Sequence, residues 1–379
     1  MKVRLASYSI LVLVLMLLIA ACSPAASPTT APPTAAPPTA APPTSAPAPA
    51  TSAPEPTAAP AMAEYTAPCT LEAANKPIPD GKLRLVIGTG GTGGVYFPYG
   101  GGIARILTEK MGNTEVTAEV TGGSVDNNKL VNSGDADLGM STIDSAYIAV
   151  KGEGVYKDTG PIPACTLATL YTSFFHVVAL EDSGINTIAD MKGKRISVGS
   201  AGSSTEVLAD RAMEAAGLNP KADVTRDNLS VAESVAAMKD RKIDAFFWIG
   251  GLPTSAVTDL VSTAGLKVKF VDTSGLVKPL QEKWGPVYTA FNLPAKTYAG
   301  FDQDIPGIGI GNILLVNANM NPELAYRILK TLFDNVDQIR AVHPEAKKFT
   351  VESAAVGSSI PYHPGAIKFY KEKGAWPRQ

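Results

Sequence analysis

The 379 residues carry 33 basic and 35 acidic side chains, a formal net charge of −2 with no basic block, which excludes nucleic acid as an expected partner. About 297 residues run from Leu83 onward, more than one average domain and enough for two lobes. His176, His343 and His363 stand far apart without zinc spacing, so no metal and no other cofactor is expected.

The chain opens MKVRLASYSILVLVLMLLIAACSP. Lys2 and Arg4 form a basic region, Ile10 to Ile19 an uncharged apolar core, and Ala20-Ala21 lead to Cys22. This is the layout of a secretory signal over residues 1–21, and Ile19-Ala20-Ala21-Cys22 resembles a bacterial lipobox. The implied chemistry is a lipid thioether on Cys22 with cleavage before it. An uncleaved anchor is the alternative, but the apolar run is shorter than the roughly 20 residues a spanning helix needs. The expected place is outside the cytoplasm, lipid-anchored in the periplasm or on the outer face of the cell membrane.

Residues 24–61 are Pro, Ala, Thr and Ser with 13 prolines and one charge, Glu55, and A-P-P-T recurs three times. Such a segment has too little apolar surface to offset the entropy of ordering. At roughly 3.1 Å per residue it reaches on the order of 100 Å. Residues 22–82 are therefore expected to be a lipidated, disordered linker. With Cys22 spent on lipid, Cys69 and Cys165 remain as an even pair in an oxidising compartment. A bridge would close a loop of about 97 residues; two separate buried thiols are the alternative.

From residue 83 strand and helix alternate. KLRLVIGTG is a strand ending in glycines, and VYFPYGGGIARILTEKM a turn running into a helix expected to begin after Pro98. TEVTAEVTGGS and ADLGMST are strands followed by the helices VDNNKLVNSG and IDSAYIAVKG. LATLYTSFFHVVALEDSG is a long β-rich run. KRISVGSAGSS enters the helix EVLADRAMEAAGL; VAESVAAMKDRK is a helix, and IDAFFWIGGLP, LKVKFVDTSG and IGIGNILLVNAN are strands. PELAYRILKTLFDNVDQIRAVH is a long helix with Pro322 near its start. The β-α order predicts an α/β fold with mostly parallel sheets. Taking HVVALEDSG and GNILLVNAN as crossovers, lobe 1 spans 83–178 and 317–379, lobe 2 spans 179–316, and two strands form the hinge.

Small polar residues follow strand ends in both expected lobes: GTGGTGG at 88–94, TGGS at 121–124, Ser141-Thr142, and SAGSST at 200–205. Helix N-termini offer unpaired N–H groups and partial positive charge, glycine allows close approach, and hydroxyls add donors. Four such ends on one cleft would hold a carboxylate without an arginine. Taken singly, each is ordinary capping or turn chemistry. GTGGTG also matches the G-x-G-x-x-G of dinucleotide sites, weakly, because export removes a protein from the NAD pool. Walker A is excluded, since Gly94 stands where lysine should be. No G-x-S-x-G elbow occurs. Asp144, one turn into a helix, reads as a cap or a contact to a ligand amine. Trp248, after Phe246 and Phe247, reads as core or, near its strand end, as cleft lining.

GTGGTGGVYFPYGGGIARIL, TGGSVDNNKLVNSGDADLGM, MKGKRISVGSAGSSTEVLADRAMEAAGL and KIDAFFWIGGLPTSAV resemble the TAXI family, solute-binding subunits of tripartite ATP-independent periplasmic (TRAP) transporters. HPEAKKF and SIPYHPGAIKFYKEKG resemble its C-terminal signatures, so the resemblance runs from about Leu83 to Gly374. It implies a type II periplasmic-binding fold, membrane partner subunits driven by an ion gradient, and no catalysis. The implied solute is a small anion, a glutamate-like amino acid or a dicarboxylate. By motif, Gly90, Gly91, Thr92, Tyr96, Ser124 and Asn127 are ligand residues of the first lobe. Ser200, Ser203, Ser204 and Thr205 are those of the second, with Pro253 edging the cleft. Two departures bear on specificity: Ser141-Thr142-Ile143-Asp144, where relatives often carry Gln before Ser or Thr, and DIPGIGIG, where they often carry Thr. A solute sensor for a membrane signalling partner would look much the same. An exported enzyme would need a general acid or base, and Asp144 is its one nominee.

Overall fold

The computed structural model describes residues 69–376. The expected signal sequence, Cys22 and the Pro/Ala/Thr tract lie outside the described residues. In lobe 1 the chain forms β1 (Leu83–Gly88), α1 (Tyr96–Lys110), β2 (Thr114–Glu119), α2 (Ser124–Ser133), β3 (Leu138–Thr142) and α3 (Ile143–Lys151). The 17-residue β4 (Ala164–Leu180) leads into β5 (Arg195–Ser197), α4 (Ser204–Ala215), β6 (Thr225–Asp227), α5 (Val231–Lys239), β7 (Ala245–Gly250) and α6 (Ser255–Val261). β8 (Val268–Phe270), α7 (Val277–Trp284) and β9 (Thr289–Leu293) follow. The 13-residue β10 (Ile305–Asn317) returns the chain to α8 (Pro322–Asp334), α9 (Val336–Arg340), α10 (Val351–Ala354) and α11 (Pro364–Glu372).

The strands run in the order β2-β1-β3-β10-β4-β7-β5-β6, with β8 on β4 and β9 on β10. β1 is parallel to β2 and β3, and β10 is antiparallel to β3. The pattern repeats beyond the hinge: β5 is parallel to β6 and β7, and β4 is antiparallel to β7. Each lobe thus ends its parallel set on a strand arriving from the other lobe, a mixed α/β architecture.

β4 and β10 pair from Phe174↔Gly309 to Ala164↔Asn317. The ladder shifts register between Asn312 and Ile313 and again between Leu314 and Leu315, and such bulges bend and twist strands. Asn312–Val316 of β10 pair with β3, whereas Ile305–Gly309 pair with β9. Phe174–Ala179 of β4 pair with β7. Under this pairing the passage between lobes falls inside both strands, earlier than the expected breaks after residues 178 and 316.

Strand alternation sends neighbouring side chains to opposite helical layers. Leu314 and Val316 join the core under α1 and α8, while Ile313 and Leu315 join the one under α2 and α3. In lobe 2, Phe247 enters the α4 core and its neighbour Phe246 the α5 core. α8 shows why the C-terminal helices dock on lobe 1. Leu324, Ala325, Ile328, Leu329 and Leu332 are buried at helical spacing, Asn321 caps the first turn, and Pro322 takes the position where no N–H is missed. Each fully buried Leu or Ile there contributes roughly 1.5–3 kcal/mol.

Two expectations are corrected here. α1 begins at Tyr96, before Pro98, because proline in a first turn forfeits no intrahelical bond. Residues 69–82 are fastened to lobe 1 rather than free linker. Cys69 is disulfide-bonded to Cys165, Lys76 N–H donates to Asn319 O at 2.9 Å, and Ala74 is buried. Cys165 pairs with Val316, which pairs with Leu138 at the start of β3. The arm therefore joins lobe 1 at the opposite end of the sheet from Thr142.

Candidate ligand-binding cleft

The loops at the carboxyl ends of the parallel strands face one another across the hinge. Gly90 and Gly91 follow β1, Gly122, Gly123 and Ser124 follow β2, and Thr142 ends β3. From lobe 2 come Ser200 and Ser203–Thr205 after β5, Ser230 and Val231 after β6, and Trp248–Gly250 at the end of β7. They enclose about 510 Å³, including space open to solvent. The starts of α1, α2, α3, α4 and α5 all reach this space, each bringing the positive end of its dipole and first-turn N–H groups that have no carbonyl partner within their own helix. Among the described residues no Asp, Glu, Lys, Arg or His lines it.

The lobes touch around the cleft. Asp126 N–H of lobe 1 donates to Gly202 O of lobe 2 at 3.1 Å, Ser124 Oγ–H to Ser204 Oγ at 3.3 Å, and Ser255 Oγ–H to Gly93 O at 3.2 Å. Glycine is required at this seam. A Cβ on Gly122 would lie 2.3 Å from Ala201 O, and one on Gly94 would lie 2.8 Å from the Trp248 ring. The sequence reading assigned these glycines to ligand approach; here they also let the lobes meet.

Of the expected ligand residues, Gly90, Gly91, Tyr96, Ser124, Ser200, Ser203, Ser204, Thr205 and Trp248 line the cleft. Ser124 Oγ accepts from Thr142 N–H at 3.1 Å, and Thr205 Oγ1 accepts from Ile249 N–H at 3.1 Å. Ser203 caps α4, accepting from Glu206 N–H while donating to Ser200 O. Trp248 lines the cleft and also packs against the core under α5, its Nε1–H donating to Thr254 Oγ1 at 3.0 Å.

Five others do not line it. Thr92 is exposed to solvent at the loop tip. Asn127 is buried as a brace: its Nδ2 donates to Thr89 O and Met140 O, both at 2.7 Å, and its Oδ1 accepts from Thr121. Ser141 is buried and donates to Thr142 O. Asp144 is buried in an ion pair described below. Pro253 is exposed and follows a cis bond from Leu252.

The sequence reading missed Tyr171, Ser230 and Val231. Tyr171 lies inside β4, a strand buried on both faces whose polar and apolar residues do not alternate, which hides the residues that face a cleft. Ser230 was legible as a capping box: its Oγ accepts from Glu233 N–H, and Glu233 accepts from Ser230 N–H. Tyr96 Oη, its acidity suppressed by burial, donates to Asn312 Oδ1 on β10 at 2.6 Å.

Residues 87–374 match the family described as NMT1-like. The chain belongs to the NMT1-like family. In structure it is similar to the periplasmic aliphatic sulphonate binding protein SsuA from Escherichia coli, at 15 % identity over 78 % of this chain and 80 % of that one, TM-score 0.42. It is also similar to the periplasmic binding protein BugD, at 14 % identity over 78 % and 95 % of the two chains, TM-score 0.48. A third similar structure is the alkanesulfonate-binding protein SsuA from Xanthomonas axonopodis pv. citri bound to MOPS, at 16 % identity over 79 % and 96 %, TM-score 0.42.

In this NMT1-like chain two buried carboxylates of lobe 1 hold lobe 2, one in each helical layer of the sheet. Asp144 Oδ2 accepts from Tyr288 Oη at 3.0 Å and lies 3.6 Å from Arg211 Nη1, both lobe 2 residues. Glu345 Oε1 accepts from Leu252 N–H at 2.7 Å, and its other oxygen pairs with Lys348 at 2.8 Å. Behind the Leu252 loop, His176 is fully buried. Burial pushes its pKa down to about 4, so the ring is neutral, with Nε2 3.0 Å from Tyr298 Oη. Tyr298 Oη in turn accepts from Thr254 N–H, which fixes the turn that orients Trp248. Among the described residues no three His, Cys, Asp or Glu side chains are placed to hold a metal, and no helix is long and apolar enough to cross a membrane.

Proposed function

We propose that this protein is an extracytoplasmic solute receptor that captures a small carboxylate between its lobes and delivers it to a membrane transporter. The observation that carries the reading is the convergence of five helix N-termini, from both lobes, on a cleft to which the described residues contribute no charged side chain. Each terminus favours an anion by roughly 0.3–1 kcal/mol at a surface and up to about 2 kcal/mol when partly buried. Gly90, Gly91 and Tyr96 with Ser124 hold the ligand from lobe 1; Ser200, Ser203, Ser204, Thr205 and Trp248 hold it from lobe 2. A ligand that contacts both lobes stabilises the closed arrangement. The resemblance of its motifs supports a TAXI-type subunit of a TRAP transporter, anchored through lipid on Cys22.

Thermal-shift screening of carboxylates, sugars and cations tests the binding reading. Stabilisation by carboxylates is expected; stabilisation only by a sugar or a cation would overturn it. Uptake with the membrane subunits should follow an ion gradient, and dependence on ATP hydrolysis would remove the TRAP assignment. A Cys22→Ser variant should lose its lipid mass and its membrane attachment.

A further inference from the structure

We infer that the ligand is a carboxylate without an ammonium group: an oxo, hydroxy or unsubstituted acid rather than an amino acid. The inference rests on the carboxylate reading above and narrows it. An ammonium brings three hydrogen-bond donors and a positive charge, and burying either without partners is costly. Among the described residues the cleft lining supplies neutral hydroxyl acceptors but no countercharge. No carboxylate among the described residues lines it. Of the buried carboxylates at the lobe boundary, Glu345 is engaged by Leu252 N–H and Lys348, and Asp144 by Tyr288 and Arg211 through Oδ2; its Oδ1 has no hydrogen-bond partner, but Asp144 stands outside the cleft lining. Asp126, at the seam, accepts from Gly122 N–H and packs on Gly202.

Five backbone acceptors of the lining are turned inward. Gly91 O accepts from Gly94 N–H, Val95 O from Tyr99 N–H, Gly123 O from Asn127 N–H, Ser200 O from Ser203 N–H, and Ser230 O from Ser234 N–H. This follows from helix geometry: first-turn carbonyls point along the axis to later N–H groups, so the N-terminal end presents donors and repels cations. The acceptors the lining side chains offer are neutral hydroxyl oxygens, which also donate, and none carries a negative charge. The aromatic faces of Tyr96, Tyr171 and Trp248 and the hydroxyl oxygens of the lining can attract a cation, so the test must compare ligands that differ in the ammonium alone.

Titration calorimetry of the full-length protein in detergent makes that comparison with glutamate, 2-oxoglutarate and glutarate, and with aspartate, oxaloacetate and succinate. In the series that binds tightest, the oxo or unsubstituted acid is expected to bind at least tenfold tighter than its amino acid. Equal or tighter binding of the amino acid overturns this inference and leaves the carboxylate reading standing. Absence of binding by every acid overturns both.

Discussion

Tyr96 Oη donates to Asn312 Oδ1 at 2.6 Å, tying the cleft wall to a strand of the hinge. Asn312 Nδ2 continues the chain to Ser173 Oγ at 2.9 Å and Tyr171 O at 3.0 Å, so one buried amide joins β10, β4 and α1 where the lobes meet. Replacing Tyr96 by Phe keeps the ring and strands Asn312 Oδ1. The expected loss of stability is about 1–3 kcal/mol by urea unfolding, the cost of an unsatisfied buried acceptor. A change under about 0.3 kcal/mol would show that the bond contributes nothing.

Gly122 has no positive φ, so alanine there tests contact alone. Its Cβ would meet Ala201 O at 2.3 Å, a backbone atom that cannot swing aside. Gly122→Ala should hold the lobes apart while each lobe stays folded. Far-UV circular dichroism should be unchanged, and small-angle scattering should show a larger radius of gyration. Ligand affinity should fall at least about tenfold, the loss of lobe-bridging contacts worth 1.4 kcal/mol or more. An unchanged radius with full affinity would return this glycine to simple turn chemistry.

Asp144 and Arg211 form an ion pair of nearly complete burial between the lobes. Asp144→Asn leaves the guanidinium with Tyr288 Oη and the face of Trp284 at 5.5 Å. Breaking one side of a buried pair costs about 3–5 kcal/mol, whereas replacing both sides with apolar groups is far milder. Asp144→Asn alone should therefore destabilise more than the double variant Asp144→Leu with Arg211→Met. Strict additivity in that cycle would mean no direct coupling. The same engagement removes Asp144 from the role of general acid or base nominated on sequence grounds.

Much of the α/β order was legible because β-branched runs alternate with helix formers, and because glycines and hydroxyls punctuate the strand ends. The less visible parts have physical causes. β9 is an edge strand whose residues are half exposed, so Thr289–Leu293 carries no apolar period. The passage between lobes lies within continuous β4–β10 pairing, where no residue type marks it. Asn127 and Thr92 sit in motifs that do form the cleft, yet one braces the loops from behind and the other faces solvent. Motif membership located the loops; which side chain each loop turns inward depends on backbone geometry that a single sequence does not display.

Two buried neutral histidines set an acid limit on stability. Burial lowers the pKa of both His176 and His363 to about 4 from 6.5. His363 caps α11, accepting from Gly365 N–H through Nδ1 while Nε2 lies 3.0 Å from Met320 O. His343 is shifted the same way, also by burial. Between pH 6.5 and 4 the unfolded chain binds protons at these sites and the folded chain does not. Stability therefore rises with pH across that window and falls as pH drops through it. The two residues together give a slope of roughly 2.7 kcal/mol per pH unit at most, and up to about 3 kcal/mol each in total. Carboxylates held low by ion pairing, such as Asp244 beside Arg195, add their loss only below about pH 4. Urea unfolding from pH 7.5 to 4.5 should show the decline, and His363→Asn should be less stable at pH 7.5 but flatter with pH. A flat wild-type profile down to pH 5 would mean that neither imidazole is held neutral by its burial.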